Sequence, residues 1–276
     1  GYKSLFSNTT GYSNTAVGKN ALCSNTSGYK NTAMGYRSLC SNTTGILNTA
    51  VGYSSMKSNS SGFENTAIGA YTLYCNSIGD RNVAIGPGAM LFNTCGSLNI
   101  AIGKSSLWQN TVGNCNLAIG YQALIENVSG FSNIALGYRS VHLNTTGSNN
   151  VGIGIENLYS NITGNSNTSV GNFALRNNKT GNRNVAIGHQ SLFSNITGSL
   201  TGIGYRSLFL NTTGTGNTAV GYKTLYANTT GIRNTAVGYS ALRCNLSFRN
   251  TAIGHQALCL NTTGNSNVAV GDGALA

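Results

Sequence analysis

A glycine preceded by an Asn-Thr-Ala-Val-like segment recurs about every seventeen residues from one end of this chain to the other. Taking that glycine as position zero places the marks at Gly1, Gly18, Gly35, Gly52 and so on to Gly271. They delimit sixteen coils, fourteen of 17 residues and two of 16, within a chain of 276. Internal periodicity of this kind belongs to solenoids. A helical solenoid needs roughly 30–45 residues per repeat, and glycines at positions 0 and 10 break each coil twice. Short strands joined by Gly and Asn turns, which supply positive φ, suit the length better. The expected fold is all-β, a parallel β-solenoid (β-roll) of about sixteen 17-residue coils. It forms a single continuous repeat array over 1–276, expected to be a segment of a longer fibre. At ~4.8 Å per strand the array would run roughly 75–80 Å.

The columns of the repeat carry the physics. Position 4 is Leu except at Met56, Met90 and Val141, and position 16 is aliphatic or Met throughout, as in Val17, Met34 and Ile68. These two columns are the expected core. Position 14 is usually Thr but becomes Val83, Ile100, Leu117 or Ile134, and is expected to point inward with position 16. Position 15 lies between them and is Ala in thirteen coils, otherwise Gly152, Ser169 or Gly202. By strand alternation it should face outward. An outer face held to small residues reads as a packing seam, most simply for self-association. The alternative is a narrow interior into which the small residues point. In the two short coils, the Asn before Thr201 and the Gly between Ser247 and Phe248 are the residues expected to be missing.

Position 7 is Asn in every coil. In thirteen it opens an N-x-[ST] sequon: Asn8, Asn25, Asn42, Asn59, Asn127, Asn144, Asn161, Asn178, Asn195, Asn211, Asn228, Asn245 and Asn261. These are candidate N-glycosylation sites, which would display a file of sugars along one edge. Stacked Asn side chains can equally hydrogen-bond from coil to coil. Asn76, Asn93 and Asn110 keep the column where no ordinary sequon exists, and position 13 is a second Asn column, followed mostly by Thr-Ala or Val-Ala and so not glycosylatable, although Asn167 opens a further sequon there.

Charged residues make up only 8% of the chain, against roughly 25% in a typical domain. The regularly spaced 40% of hydrophobic residues nevertheless argues against disorder. The net charge of +11 gathers at position 2 (Lys3, Arg37, Arg139, Arg206, Lys223) and position 12 (Lys30, Arg81, Arg183, Arg233, Arg249). Such stripes suit acidic polysaccharide or simply solubility; no nucleic-acid module is present, so no specific nucleic-acid partner is expected. Tyr follows the zero glycine in eight coils, either as a platform for sugar rings or as a packed corner. No segment approaches the ~20 apolar residues of a membrane span, so no membrane insertion of this segment is expected.

Seven cysteines without a CxxC speak against a metal cluster. Cys23 and Cys40 share one column in adjacent coils and are a candidate disulfide. Catalysis finds no constellation: His142, His189 and His255 stand apart, and the five acids (Glu64, Asp80, Glu126, Glu156, Asp272) form no pair in one column. The chain is expected not to be an enzyme and to use no cofactor.

The segments NVAIG (82–86), NIAIG (99–103) and NLAIG (116–120), within units of the form GYxALxxNTTGxxNTAVG, resemble head repeats of YadA-like trimeric autotransporter adhesins and of bacterial, phage and giant-virus fibre proteins. That resemblance implies a parallel β-roll, often three chains side by side, exposed extracellularly on a cell or virion surface and used for adhesion. The period departs from the shorter adhesin unit, and no stalk or anchor is visible, so the family's matrix ligands are not carried over. The expected function is a structural surface fibre, adhesive in the manner of that family and a scaffold for N-linked glycans if the sequons are occupied. It would associate with itself laterally or end to end, and meet surface glycans or a host-cell receptor. The alternative is a carbohydrate- or ice-binding solenoid using Thr, Asn and Tyr ladders.

Overall fold

The structure, a computed structural model, describes residues 1–275. They form two compact units, one of Gly1–Arg139 with Asn144–Thr146, the other of Ser140–Leu143 with the residues from Gly147 onward. The first unit holds β1 (Thr15–Val17), β2 (Thr32–Met34), β3 (Thr49–Val51), β4 (Thr66–Ile68), β5 (Val83–Ile85), β6 (Ile100–Ile102), β7 (Leu117–Ile119) and β8 (Ile134–Leu136). The second holds β9 (Val151–Ile153), β10 (Thr168–Val170), β11 (Val185–Ile187), β12 (Thr201–Ile203), β13 (Thr218–Val220), β14 (Thr235–Val237), β15 (Thr251–Ile253) and β16 (Val268–Val270). Within each unit every strand pairs in parallel with its chain neighbour, like residue against like residue, as in Thr15↔Thr32, Ala16↔Ala33 and Val17↔Met34. The parallel β-solenoid read from the period is therefore the fold.

Strand parity is the reverse of the expectation. From Ala33 to Ala252 the position-15 residues are buried, while Val17, Met34, Ile68, Ile119 and Ile253 of position 16 are 37–55% exposed. The small column faces inward and cannot be an outer seam; positions 14 and 16 face out. Space decides this. A Cβ built on Gly152, a position-15 residue, would meet Val141 Cγ2 at 2.5 Å, Asn157 Oδ1 at 2.8 Å and Ser140 Oγ at 2.9 Å. The strand centre thus looks directly at the residues of positions 3 and 4, and nothing much larger than a methyl group fits. Position 4 is buried as expected, with Leu22, Leu39, Met56 and Leu107 fully enclosed.

A core of one Leu, one Ala and one small residue per coil is thin, and Asn completes it. Both Asn columns lie inside. The coil backbone closes by bonding to its neighbours: Thr15 N donates to Asn31 O at 2.8 Å, Leu22 N to Ser38 O at 3.0 Å and Gly35 N to Val17 O at 2.8 Å. Turning so tightly requires positive φ at the zero glycine and at positions 2, 4 and 12, and the last three are mostly not glycine. Leu39 has φ 47°, Arg37 55° and Lys30 56°. The turns expected of Gly and Asn alone are thus shared with Leu, Arg and Lys. Such conformations cost about 1–2 kcal/mol each for ordinary residues, and burial of the position-4 side chain offsets it by about 1.5–3 kcal/mol.

The zero glycines combine φ of 120–138° with closeness: a Cβ on Gly86 would stand 2.9 Å from Gly103 C and O. The missing residues are placed differently from the sequence reading. Leu200 O accepts from Val185 N, so Leu200 occupies the position-13 Asn slot, and Ser199 O accepts from Gly216 N as a position-11 residue does. The omitted residue is position 12. In the other short coil Ser247 O accepts the Asn amides that elsewhere bond a position-10 glycine. Ser247 therefore fills the glycine slot, and its buried hydroxyl has no partner.

Candidate functional site

The thirteen sequon residues lie in an internal ladder. Eleven have no exposed surface; Asn8 and Asn261 are part-buried. In the first unit each Asn Nδ2 donates to Oδ1 of the preceding coil at 2.7–2.9 Å, without a break from Asn25 to Asn144. The same nitrogen donates to the carbonyl of its own position-10 glycine, as Asn59 does to Gly62 O at 3.0 Å. Both amide hydrogens are then used. A glycan at these nitrogens has neither a free bond vector nor a route to solvent. Asn76, Asn93 and Asn110 make the same bonds without a sequon.

In the second unit the ladder stretches to 3.4 Å at Asn195–Asn211 and Asn228–Asn245, the steps that flank the short coils. Position 13 forms a second internal ladder, in which Oδ1 accepts from the next Asn N, as Asn31 Oδ1 does from Asn48 N at 3.0 Å. Its Nδ2 donates to the next position-10 carbonyl. Leu200 interrupts that ladder, and Asn184 Oδ1 is left buried without a partner.

The strand faces present the opposite chemistry. In the first unit, Val83, Ile85, Ile100, Ile102, Leu117, Ile119, Ile134 and Leu136 place aliphatic side chains in both outward columns of four consecutive coils. A flat, period-two apolar surface of this kind is what a second β-face packs against.

The basic and aromatic columns come together on another face. Position-2 cations lie over position-1 rings: Arg37 over Tyr36, Arg139 over Tyr138 and Arg206 over Tyr205, each at 5.2 Å. In the second unit His189, Tyr205, Tyr222, Tyr239 and His255 form a continuous stack with centroids 4.9–5.6 Å apart. The rings cover one another's faces, so the file presents ring edges, a packed corner rather than an open sugar platform. His255 Nδ1 also lies 2.8 Å from Asp272 Oδ1, a solvent-exposed pair that column reading of the acids alone did not reveal.

Cys23 and Cys40 are half-buried free thiols in the same column of neighbouring coils. Burial pushes the Cys40 thiol pKa up, and nearby Cys23 adds to the shift.

One place departs from the repeat. The position-1 aromatic file of the first unit runs through Tyr36 and Tyr53, stops, and restarts at Tyr121 and Tyr138. Between them stand Ala70, Pro87 and Lys104, and a cleft of about 220 Å³ opens there against Tyr71 and Trp108. Its signals were in the sequence: three coils without the column's Tyr, and the chain's single Pro and single Trp within two turns of each other. Among the described residues no group of three His, Cys, Asp or Glu is placed to hold a metal, and no helix is long and apolar enough to cross a membrane. Comparison with protein-family models and with curated proteins finds no match to this chain.

Proposed function

We propose that this protein is a structural fibre component of a cell or virion surface, extracellular, whose outward strand faces associate laterally with further copies of the chain. The observation that supports this reading is the aliphatic surface of positions 14 and 16, which the filled coil leaves outside. Side-by-side packing would remove those columns from water, at about 25 cal/mol per Å² of apolar surface. Three chains are the assembly suggested by the resemblance to trimeric adhesin heads. Adhesion through the exposed aromatic and cationic edges belongs to the same reading; the chain is not an enzyme in this account. The glycan-scaffold version is set aside because eleven of the thirteen sequon side chains are buried inside the coil. Sedimentation of the whole chain tests the proposal. Oligomers that dissociate in Ile119→Lys support it, and a wild-type chain that stays monomeric overturns it.

The second reading, a carbohydrate- or ice-binding array, keeps its Thr and Tyr columns, which face out, and loses both Asn columns, which face in. Thermal hysteresis and glycan arrays address it.

A further inference from the structure

The cleft in the first unit is a local rebuilding of the repeat. Ala70 and Pro87 replace two Tyr side chains with small, flat ones. Proline costs no ladder bond here, because it is the position-2 amide that bonds the preceding coil: Gly88 N donates to Ala70 O at 3.0 Å. Gly88 serves the cleft directly. A Cβ at that residue would run into the Trp108 ring, so its absence lets the indole lie against the backbone. Tyr71 forms the other wall, 45% exposed and turned 63° from the Tyr53 ring.

The lining is almost wholly apolar and open to solvent. Its rim carries one cation. Lys104 is exposed and enters none of the ion pairs among the described residues. No carboxylate lines the cleft.

These features select an occupant. An open apolar cleft covers one face of a ring and leaves the other wet, which suits a ring with apolar C–H faces and polar edges. A wholly apolar ring would keep a bare face in water, and an alkyl tail has no tunnel to enter. A single cation answers one anionic group; a nucleic-acid strand would require cations repeated along its phosphates. We propose that this cleft binds one acidic sugar ring, a uronic- or sialic-type residue of a glycan, with its apolar face on Trp108 and Pro87 and its carboxylate on Lys104. The inference goes beyond the fibre reading and does not depend on it.

Trp108 is the only tryptophan, so emission excited selectively from tryptophan, and not from the 14 tyrosines, reports on this cleft alone. The whole chain would be titrated with a glucuronic-acid oligosaccharide, a neutral glucose oligosaccharide of equal length, and octanoate. A saturable change with the acidic sugar is expected. Lys104→Met should weaken it about tenfold, the worth of one hydrogen bond to a charged group. Ala70→Tyr restores the column's usual residue and should abolish the response with the far-ultraviolet circular dichroism unchanged. No saturable change up to millimolar acidic sugar, an undiminished response in Ala70→Tyr, or a response to octanoate and not to the sugar would each overturn the proposal. Ile119→Lys, which tests the strand-face seam, should leave the response intact, so the two readings fail separately.

Discussion

Replacing Asn93 with Ala tests whether the Asn ladder holds the coil together. Asn93 is fully buried and lies outside any N-x-[ST] sequon, so loss of an ordinary glycosylation site does not enter the result. Its Nδ2 donates to Asn76 Oδ1 at 2.7 Å and to Gly96 O at 2.9 Å, and its Oδ1 accepts from Asn110 Nδ2 at 2.8 Å. Truncation does not orphan every partner. Gly96 O keeps the Asn82 amide at 2.8 Å. Asn76 Oδ1 and one Asn110 N–H lose their ladder partners inside the coil. At about 1–3 kcal/mol for each unsatisfied buried group, the expected loss is about 2–6 kcal/mol. That is a large share of the roughly 5–15 kcal/mol that holds a typical domain folded. Repeat arrays need not melt in one step, so the assay is native-state hydrogen exchange of the amides around Asn93, with thermal melting beside it. Leu98→Ala, at an exposed position of the same coil, should stay within about 0.5 kcal/mol of wild type. An Asn93→Ala chain as protected as the Leu98→Ala chain would refute the ladder argument.

Strand parity makes a paired prediction. Ala101→Leu forces a large side chain into the filled coil and should cost about 1–3 kcal/mol or more, whereas Ile102→Lys next to it should leave the isolated coil's melting nearly unchanged. Passage through a secretory pathway with oligosaccharyl transfer should leave Asn25 to Asn245 unmodified in the folded protein; intact mass showing glycans there contradicts the buried ladder. Thiol alkylation at pH 8 should modify exposed Cys95 before Cys40 and Cys75, whose pKa values are raised chiefly by burial, so that less of each is thiolate. Peptide mass spectrometry at timed intervals reads that order.

Period, fold class and the Leu column could be read from residues alone, because a 17-residue unit with two glycines leaves little choice but a β-coil. The ladder function of Asn was visible where Asn76, Asn93 and Asn110 persist without sequons. Parity was not. A three-residue strand such as Thr-Ala-Val satisfies alternation with either face inward, and ranking by hydrophobicity puts Val inside. The deciding quantity is the space left once Leu and two Asn already occupy the coil. A size argument would have found it: position 15 never exceeds Ser, while positions 14 and 16 range from Thr to Met. The short coils misled for a related reason, since Leu200 and Ser247 move into vacated slots and hide which position was lost. The cleft is hidden in the sequence because breaks in the Tyr column look like ordinary variation until Trp108 is seen lying over Gly88.

Cryo-electron microscopy of the native assembly tests the central claim most directly. The expected result is filaments in which coils stack at about 4.8 Å and neighbouring chains meet along the columns of Val83–Leu136 and their counterparts. Isolated single chains with those columns facing water, or filaments joined through any other face, would contradict it.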